Sequence, residues 1–460
     1  MTASIHQHWS SRYTFLFAAV GSAVGLGNIW RFPYIVGQNG GGAFILIYIA
    51  FVVLIGWPIL VAEISIGRWG QMSPIRSIEK VAEESGKSKY WKSVGAFGAF
   101  AGGLGLLSFY SMIAGWVLAY IVKSASGMFK GFTDVDAAVT LNAHYADTTM
   151  MVFWHFLFVA LTVYIVGRGI TAGLEKAVTY LMPLLFLILL SLVVYSTTTA
   201  GFDDAITFLL TPDFSKITPS VVLTALGQAF FSLGLALGTM IAYGAYLTKD
   251  INIVKSAGII AGVDTLIALI AGFAIFPLVF TYGLEPAGGP GLIFTTLTVA
   301  FGQMPGGVVF GTLFFILLAI AAVTSSISML EPAVSYFEEK QGIGRWAGAI
   351  FAGGAAFIIG LFSVFSFNEW SDLIPLAGIG ITEVGGSPAT FYAIINFTVS
   401  NIIMPIGGLS IAIFVGWFVS RAGMQRELDE PQTGLFNLWH GLVKYLCPVA
   451  LIIVILAGLT

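Results

Sequence analysis

Between Tyr13 and Tyr34 an apolar stretch long enough to cross a bilayer is interrupted by Gly21-Ser22-Ala23-Val24-Gly25-Leu26-Gly27-Asn28. Glycine lowers helix propensity by about 1 kcal/mol per site, and each backbone group left open in lipid costs several more. A break of this kind survives only where it lines a cavity or binds something, so the stretch predicts a broken helix whose freed carbonyls and amides form a site. A second interruption, Gly227-Gln228-Ala229-Phe230-Phe231-Ser232-Leu233-Gly234-Leu235-Ala236-Leu237-Gly238, falls in the sixth apolar run. One break alone would suit close helix packing. Two, at corresponding positions of runs 1–5 and 6–10, point to a binding site near the membrane midplane.

Composition supplies the membrane that this reading needs. Of 460 residues, 57% are hydrophobic and 9% charged, against roughly 25% charged in a typical soluble domain. Apolar runs at about 12–36, 41–69, 92–123, 150–167, 175–199, 219–247, 253–283, 308–337, 346–366, 390–420 and 435–458 predict eleven spanning helices. With the N-terminus inside, fifteen basic residues from Arg12 to Arg426 face the cytoplasm and four (Arg31, Lys123, Lys130, Lys216) lie outside, while Lys444 is ambiguous. That asymmetry predicts a multi-pass protein of the cell membrane with a cytoplasmic N-terminus and an extracellular C-terminus. The first run is too long for a signal core, and no small-residue cleavage site ends it. A net charge of -3 without a basic cluster gives no reason to expect nucleic acid. The one cysteine, Cys447, excludes an intrachain disulfide and reads as a packing residue.

Polar groups at membrane depth are few, and they cluster at the breaks. Asn28, Ser232, Asp264, Thr324, Ser325 and Ser326, with the carbonyls around Gly21 to Val24, offer the oxygens a hard cation such as sodium requires. One hydroxyl in a helix is accounted for by a bond to the carbonyl four residues back; three in succession at 324–326 favour an ion site. Free amides near Leu26 and Gly27 suit a carboxylate at the positive end of a helix dipole. Glu63, deep in the second run, is an intramembrane carboxylate and a functional candidate by default.

The first break, followed by Ile29-Trp30-Arg31-Phe32-Pro33-Tyr34, resembles the first transmembrane segment of the neurotransmitter:sodium symporter family. The resemblance implies an all-α membrane protein with a LeuT-like 5+5 inverted repeat (repeat 1 about 12–199, repeat 2 about 219–420) and an eleventh helix at about 435–458. It implies one sodium site at the Ala23 carbonyl, Asn28, Ser232, Asp264 and the substrate carboxylate. A second would use the carbonyls of Gly21, Val24 and Ala321 with the hydroxyls of Thr324 and Ser325. The family tyrosine that bonds the carboxylate matches Tyr110. The substrate ammonium falls to Ser22, Ala23 and helix-6 oxygens, and Leu26, Leu106, Tyr110, Phe231, Gly234, Leu237, Ser325 and Met329 line the side-chain pocket beside Gly27 and Ser232. Members for monoamines carry an acid where this chain has Gly25, so an amino acid is implied. An uncharged lining suits an apolar side chain, and small Gly234 with deformable Met329 leaves room for aromatic ones.

The gates match in part. Arg31 resembles the outer-gate arginine, above Tyr110 and Phe231, but its usual acidic partner falls at Asn396. On the inner side Trp9, Arg12, Tyr246 and Glu339 are in place, while the N-terminal arginine falls at His6. The counterpart of Glu63 braces the unwound part of helix 6. Asp264 stands where relatives have a neutral asparagine, one helical turn before Ala268, the position that serves chloride in chloride-dependent relatives. A carboxylate there implies that no chloride is required. Two features stay open: Gly173 and Pro183 either loosen the start of helix 5 or form a static kink, and 284–307, rich in Pro and Gly, is either a lid or an ordinary connection. The function expected is sodium-coupled symport of hydrophobic L-amino acids by alternating access across the lipid bilayer, with two sodium ions. The alternative is an amino-acid sensor or receptor on the same fold. Neither His-Glu-x-x-His nor Gly-x-Ser-x-Gly occurs, so an enzyme is not expected.

Overall fold

A computed structural model describes residues 8–284, 292–384, 387–428 and 434–459. His6 and the 285–291 part of the proposed lid lie outside the described residues. Among the described residues nine helices are long and apolar enough to cross a membrane: Gly42–Gly70, Lys89–Ala125, Thr148–Gly167, Ile170–Ser196, Ile253–Thr281, Gly307–Lys340, Arg345–Phe365, Phe391–Phe418 and Gly434–Gly458. In chain order these are spans 2, 3, 4, 5, 7, 8, 9, 10 and 11. Span 1 is a bent pair, Arg12–Ala23 and Gly27–Gln38, with an angle of 51° between its halves. Span 6 consists of two short helices, Pro219–Ser232 and Thr239–Ala245. The chain is an all-α membrane protein, its only strands among the described residues being the two-residue pair Glu383–Val384 and Ser387–Pro388.

Span 1 begins on a capping box in which Ser11 and Thr14 satisfy each other's backbone amides. Its first half ends where Val24 turns extended, and a π-turn over Gly27–Arg31 starts the second. Span 6 breaks differently, in three left-handed steps at Gly234 (φ 58°), Ala236 (φ 68°) and Gly238 (φ 77°). Such angles are open to glycine and strained for alanine. Glu63 answers this strain, because its Oε1 accepts the Ala236 amide at 2.7 Å.

The inner half of span 6 lies on span 2 at a glycine contact: a Cβ at Gly244 would come within 2.4 Å of the Ile64 carbonyl, and one at Gly67 would meet the Ile241 carbonyl closer still. Small residues let the two backbones touch, as membrane helix pairs require. Span 8 runs through the middle, packed against spans 1, 3, 4, 5 and 9. Span 5 is helical throughout, with a π-turn at Ile170–Glu175 and Pro183 inside Lys176–Ser196. The segment after residue 291 forms the helix Leu297–Gln303, and Phe294 before it packs edge-on against Trp116 and Tyr120 of span 3.

Candidate functional site

The two breaks face each other across a cavity of about 30 Å³ lined by Ser22, Ala23, Gly25, Gly27, Leu106, Tyr110, Phe231, Ser232, Gly234, Leu237, Ser325, Ser328 and Met329. No lining residue is charged. Of the substrate contacts expected from sequence, only Leu26 is absent from the wall, and it faces the site through its backbone: its N–H donates to Tyr110 Oη at 3.3 Å. Gly25 and Ser328 join the lining. At Gly25 an added Cβ would come within 2.6 Å of Ser325 Oγ and 3.1 Å of Tyr110 Oη, so this wall has no room for a side chain without rearrangement.

Beside the cavity, four spans meet at one carboxylate. Asp264 of span 7 accepts from Asn28 Nδ2 of span 1 at 2.8 Å and from Ser232 Oγ of span 6 at 2.6 Å, and Tyr48 of span 2 donates to Ser232 Oγ at 3.1 Å. All four side chains are buried. A buried carboxylate holding several donors is stable only if its charge is matched, and the oxygens of Asn28, Ser232 and Asp264 provide a compact set that suits a small hard cation. Ala268, one turn further on, is also fully buried.

On the other side of span 1 the Ser325 hydroxyl lies 3.4 Å from the Gly21 carbonyl, 3.2 Å from that of Ser22 and 3.4 Å from that of Val24. Thr324 Oγ1 donates to the Ala321 carbonyl at 3.1 Å, and its Cβ lies 3.2 Å from where a Cβ on Gly21 would stand. The structure thus gathers Gly21, Val24, Ala321, Thr324 and Ser325 into one niche of carbonyl and hydroxyl oxygens, a donor set for a hard monovalent ion. Ser326 points away from it, paired with Thr162 of span 4 at 2.8 Å.

The two sides of the cavity are bounded by different chemistry. Above the cavity the Arg31 guanidinium stacks on the Phe231 ring at 4.2 Å. Among the described residues Arg31 has no ion pair, and Asn396 instead accepts from Ser400 at 3.3 Å. Below, Trp9 is buried, donates its indole N–H to the Tyr243 carbonyl at 3.0 Å and its backbone N–H to the Tyr246 carbonyl at 3.2 Å. Tyr246 donates to Glu331 at 2.8 Å, and Glu331 pairs with Arg345 of span 9 at 2.5 Å. Glu339 stands apart from this pair and accepts the Ser73 amide at 2.8 Å, ahead of the helix Pro74–Glu84. Arg12 Nε has no hydrogen-bond partner among the described residues. Sequence reasoning missed Ser328, Glu331 and Arg345. For Glu331 the signal was present: a carboxylate inside the eighth apolar run is as costly as Glu63 in the second.

Paired unwound helices at the core of a polytopic bundle, with oxygen niches flanking an uncharged cavity, define a membrane transporter and not an enzyme. The chain belongs to the sodium:neurotransmitter symporter family, whose model matches residues 6–142 and 133–369. It is similar to a sodium-dependent transporter of Bacillus subtilis, 38% identical over 455 residues (97% of this chain, 96% of the relative). A second, from Haemophilus influenzae, is 36% identical over 461 residues, covering 98% of each. Among solved structures, that of MhsT in complex with L-phenylalanine matches with a TM-score of 0.88 at 39% identity, covering 98% of this chain and 99% of MhsT.

Proposed function

We propose that this chain is a sodium-coupled symporter of hydrophobic L-amino acids, both aliphatic and aromatic, that works by alternating access without a chloride requirement. The observation that carries the reading is the uncharged cavity between the two breaks, with the Leu26 amide and Tyr110 hydroxyl meeting at one wall and Asp264 joined to Asn28 and Ser232 beside it. The amino acid carboxylate docks at Leu26, Gly27 and Tyr110 and is itself a ligand of the sodium held by the Ala23 carbonyl, Asn28, Ser232 and Asp264. Its ammonium is held by backbone oxygens of Ser22, Ala23 and span 6. A second sodium occupies the niche of Gly21, Val24, Ala321, Thr324 and Ser325. Because the substrate carboxylate is itself a sodium ligand, each strengthens the other's binding, which is the thermodynamic form of coupling. The names of the Bacillus and Haemophilus relatives support sodium dependence, and the L-phenylalanine bound to MhsT supports a hydrophobic substrate.

Two sodium ions and a zwitterion bring a buried charge of about +2 into a medium of low dielectric, and an ionised Asp264 lowers it to about +1. That carboxylate takes the place of an anion from solution. The Gly25 wall favours the same reading, since it lacks the acid that a substrate without a carboxylate would need. The two repeats, about 12–199 and 219–420, rock against one another, with Arg31, Phe231 and Tyr110 gating the outer side and Trp9, Tyr246 and Glu339 the cytoplasmic one. The N-terminus is cytoplasmic, the C-terminus extracellular, and the membrane is that of the cell.

Uptake of labelled leucine into proteoliposomes tests this directly. An inward sodium gradient drives uptake; tryptophan, phenylalanine, tyrosine, isoleucine, valine and methionine compete, while lysine, glutamate and dopamine do not. Uptake equal in potassium and in sodium sinks the coupling. Replacing chloride by gluconate leaves the rate within about twofold; abolished uptake sinks the anion assignment. Since Gly234 has φ 58°, filling the pocket from that position strains the backbone, and Met329→Phe is the cleaner test of its size. That variant loses tryptophan before leucine.

A further inference from the structure

We infer that the hydroxyls of Ser22 and Ser328 form an acceptor-only floor in the central cavity that selects, among hydrophobic amino acids, those whose side chain carries an N–H or O–H donor. This rests on the amino acid reading above and names the preference within that class. Ser328 Oγ donates to the Ser325 carbonyl at 2.7 Å, and Ser22 Oγ donates to Ser328 Oγ at 2.8 Å. A hydroxyl has one proton and two lone pairs. Both protons are therefore spent within the protein, and what the two side chains can still offer the cavity they line is lone pairs.

The floor is held in place from three directions. Ser22 belongs to the first half of span 1, four residues before the Leu26 amide where the carboxylate docks. Its carbonyl accepts from Ser325 Oγ at 3.2 Å while its hydroxyl is turned to Ser328. Thr239 of the inner half of span 6 donates to the Ser328 carbonyl at 3.1 Å. Both hydroxyls are buried, Ser22 at 8% and Ser328 at 2% exposure, so their free lone pairs face little competing water. The neighbouring walls, Leu106, Leu237 and Met329, are apolar and discriminate weakly between side chains of similar shape. A position built to hydrogen-bond an N–H or O–H discriminates more sharply, because the analogue without it leaves the partner unpaired. Indole and phenol carry such donors. Phenyl and alkyl side chains do not.

The test is displacement of labelled leucine in saturating sodium by two matched pairs: tryptophan against 3-benzothienylalanine, in which sulfur replaces the indole N–H, and tyrosine against phenylalanine. In the wild-type protein the donor of each pair is expected to bind about three- to tenfold tighter, the range of one net hydrogen bond. In the double variant Ser22→Ala/Ser328→Ala, which removes both acceptors, the two ratios fall toward one, and in Ser328→Thr, which keeps a hydroxyl, they are retained. If the double variant does not fold, Ser22→Ala/Ser328→Cys, with a poor acceptor at 328, lowers the ratios in its place. Equal binding within both pairs in the wild type, or ratios that persist in either double variant, overturns the inference while leaving the amino acid reading intact. Failure of every amino acid to displace or bind, leucine included, overturns that reading instead.

Discussion

Asp264 concentrates the chemistry of the molecule in one side chain. Its oxygens are held by Asn28 and Ser232, so Asp264→Asn keeps the size and one acceptor while removing the charge. We expect the half-saturating sodium concentration to rise at least tenfold, measured by sodium-dependent leucine binding, and to become sensitive to chloride; an unchanged value rejects the role. Glu63 makes the opposite prediction. Its contact with the Ala236 amide needs an oxygen and not a charge, so Glu63→Gln should retain binding while Glu63→Ala loses it, as a binding assay on the two variants would reveal. Asn28, Asp264, Thr324 and Ser325 were legible from sequence because a polar side chain in an apolar run is expensive and therefore conspicuous. Ser328 was not, since a lone helical serine is normally explained by the carbonyl behind it, and its bond to Ser22 joins residues 306 positions apart. On the inner side the Glu339 carboxylate accepts the Ser73 amide, and the pair that meets Tyr246 is Glu331 with Arg345, a neighbour that position in the sequence did not single out.

At the scale of elements, the spans could be read almost to their ends, because about twenty apolar residues between basic or Gly/Pro-rich loops have few other solutions in lipid. Both breaks were legible for the same reason. The π-turns were not: Val52–Gly56, Phe97–Leu104, Thr398–Ile403, Phe414–Phe418 and Leu442–Leu446 each insert a looser turn that hydrophobicity alone does not mark. Nor did sequence distinguish glycines that are crossed by another backbone from those that face open space. Gly244→Ala would drive a Cβ into the Ile64 carbonyl and push the inner half of span 6 off span 2, while a Cβ at Gly262 of span 7 meets nothing within 4 Å. The first substitution should lower the melting temperature in detergent by several degrees. The second should leave it unchanged or raise it slightly, by the ~1 kcal/mol that alanine gains over glycine in a helix. Equal effects at the two positions would refute the crossing.

Across the whole molecule, distant parts are tied by an ion cluster built on a buried pair: Arg68 at the end of span 2 meets Glu427 of the helix Arg421–Leu428 at 2.6 Å, Arg68 also donates to the Ile251 carbonyl, and the exposed Lys249 reaches Glu427 at 2.6 Å. Glu427→Gln leaves Arg68 buried with reduced compensation. By the usual size of such effects it should destabilise the protein by about 3–5 kcal/mol, read as a shortened half-life at fixed temperature; an unaltered half-life would show the cluster to be dispensable. A second tie, between spans 2 and 11, is made by packing and contains the only cysteine of the chain. Cys447 is fully buried, its Sγ 4.0 Å from the Leu54 carbonyl and 3.9 Å from that of Ile55. Cys447 is therefore expected to react only slowly with thiol reagents while this seam stays shut. Any reporter cysteine added for spectroscopy can be read without first stripping the background, and unprompted alkylation of the wild type would time the moment at which span 11 parts from span 2.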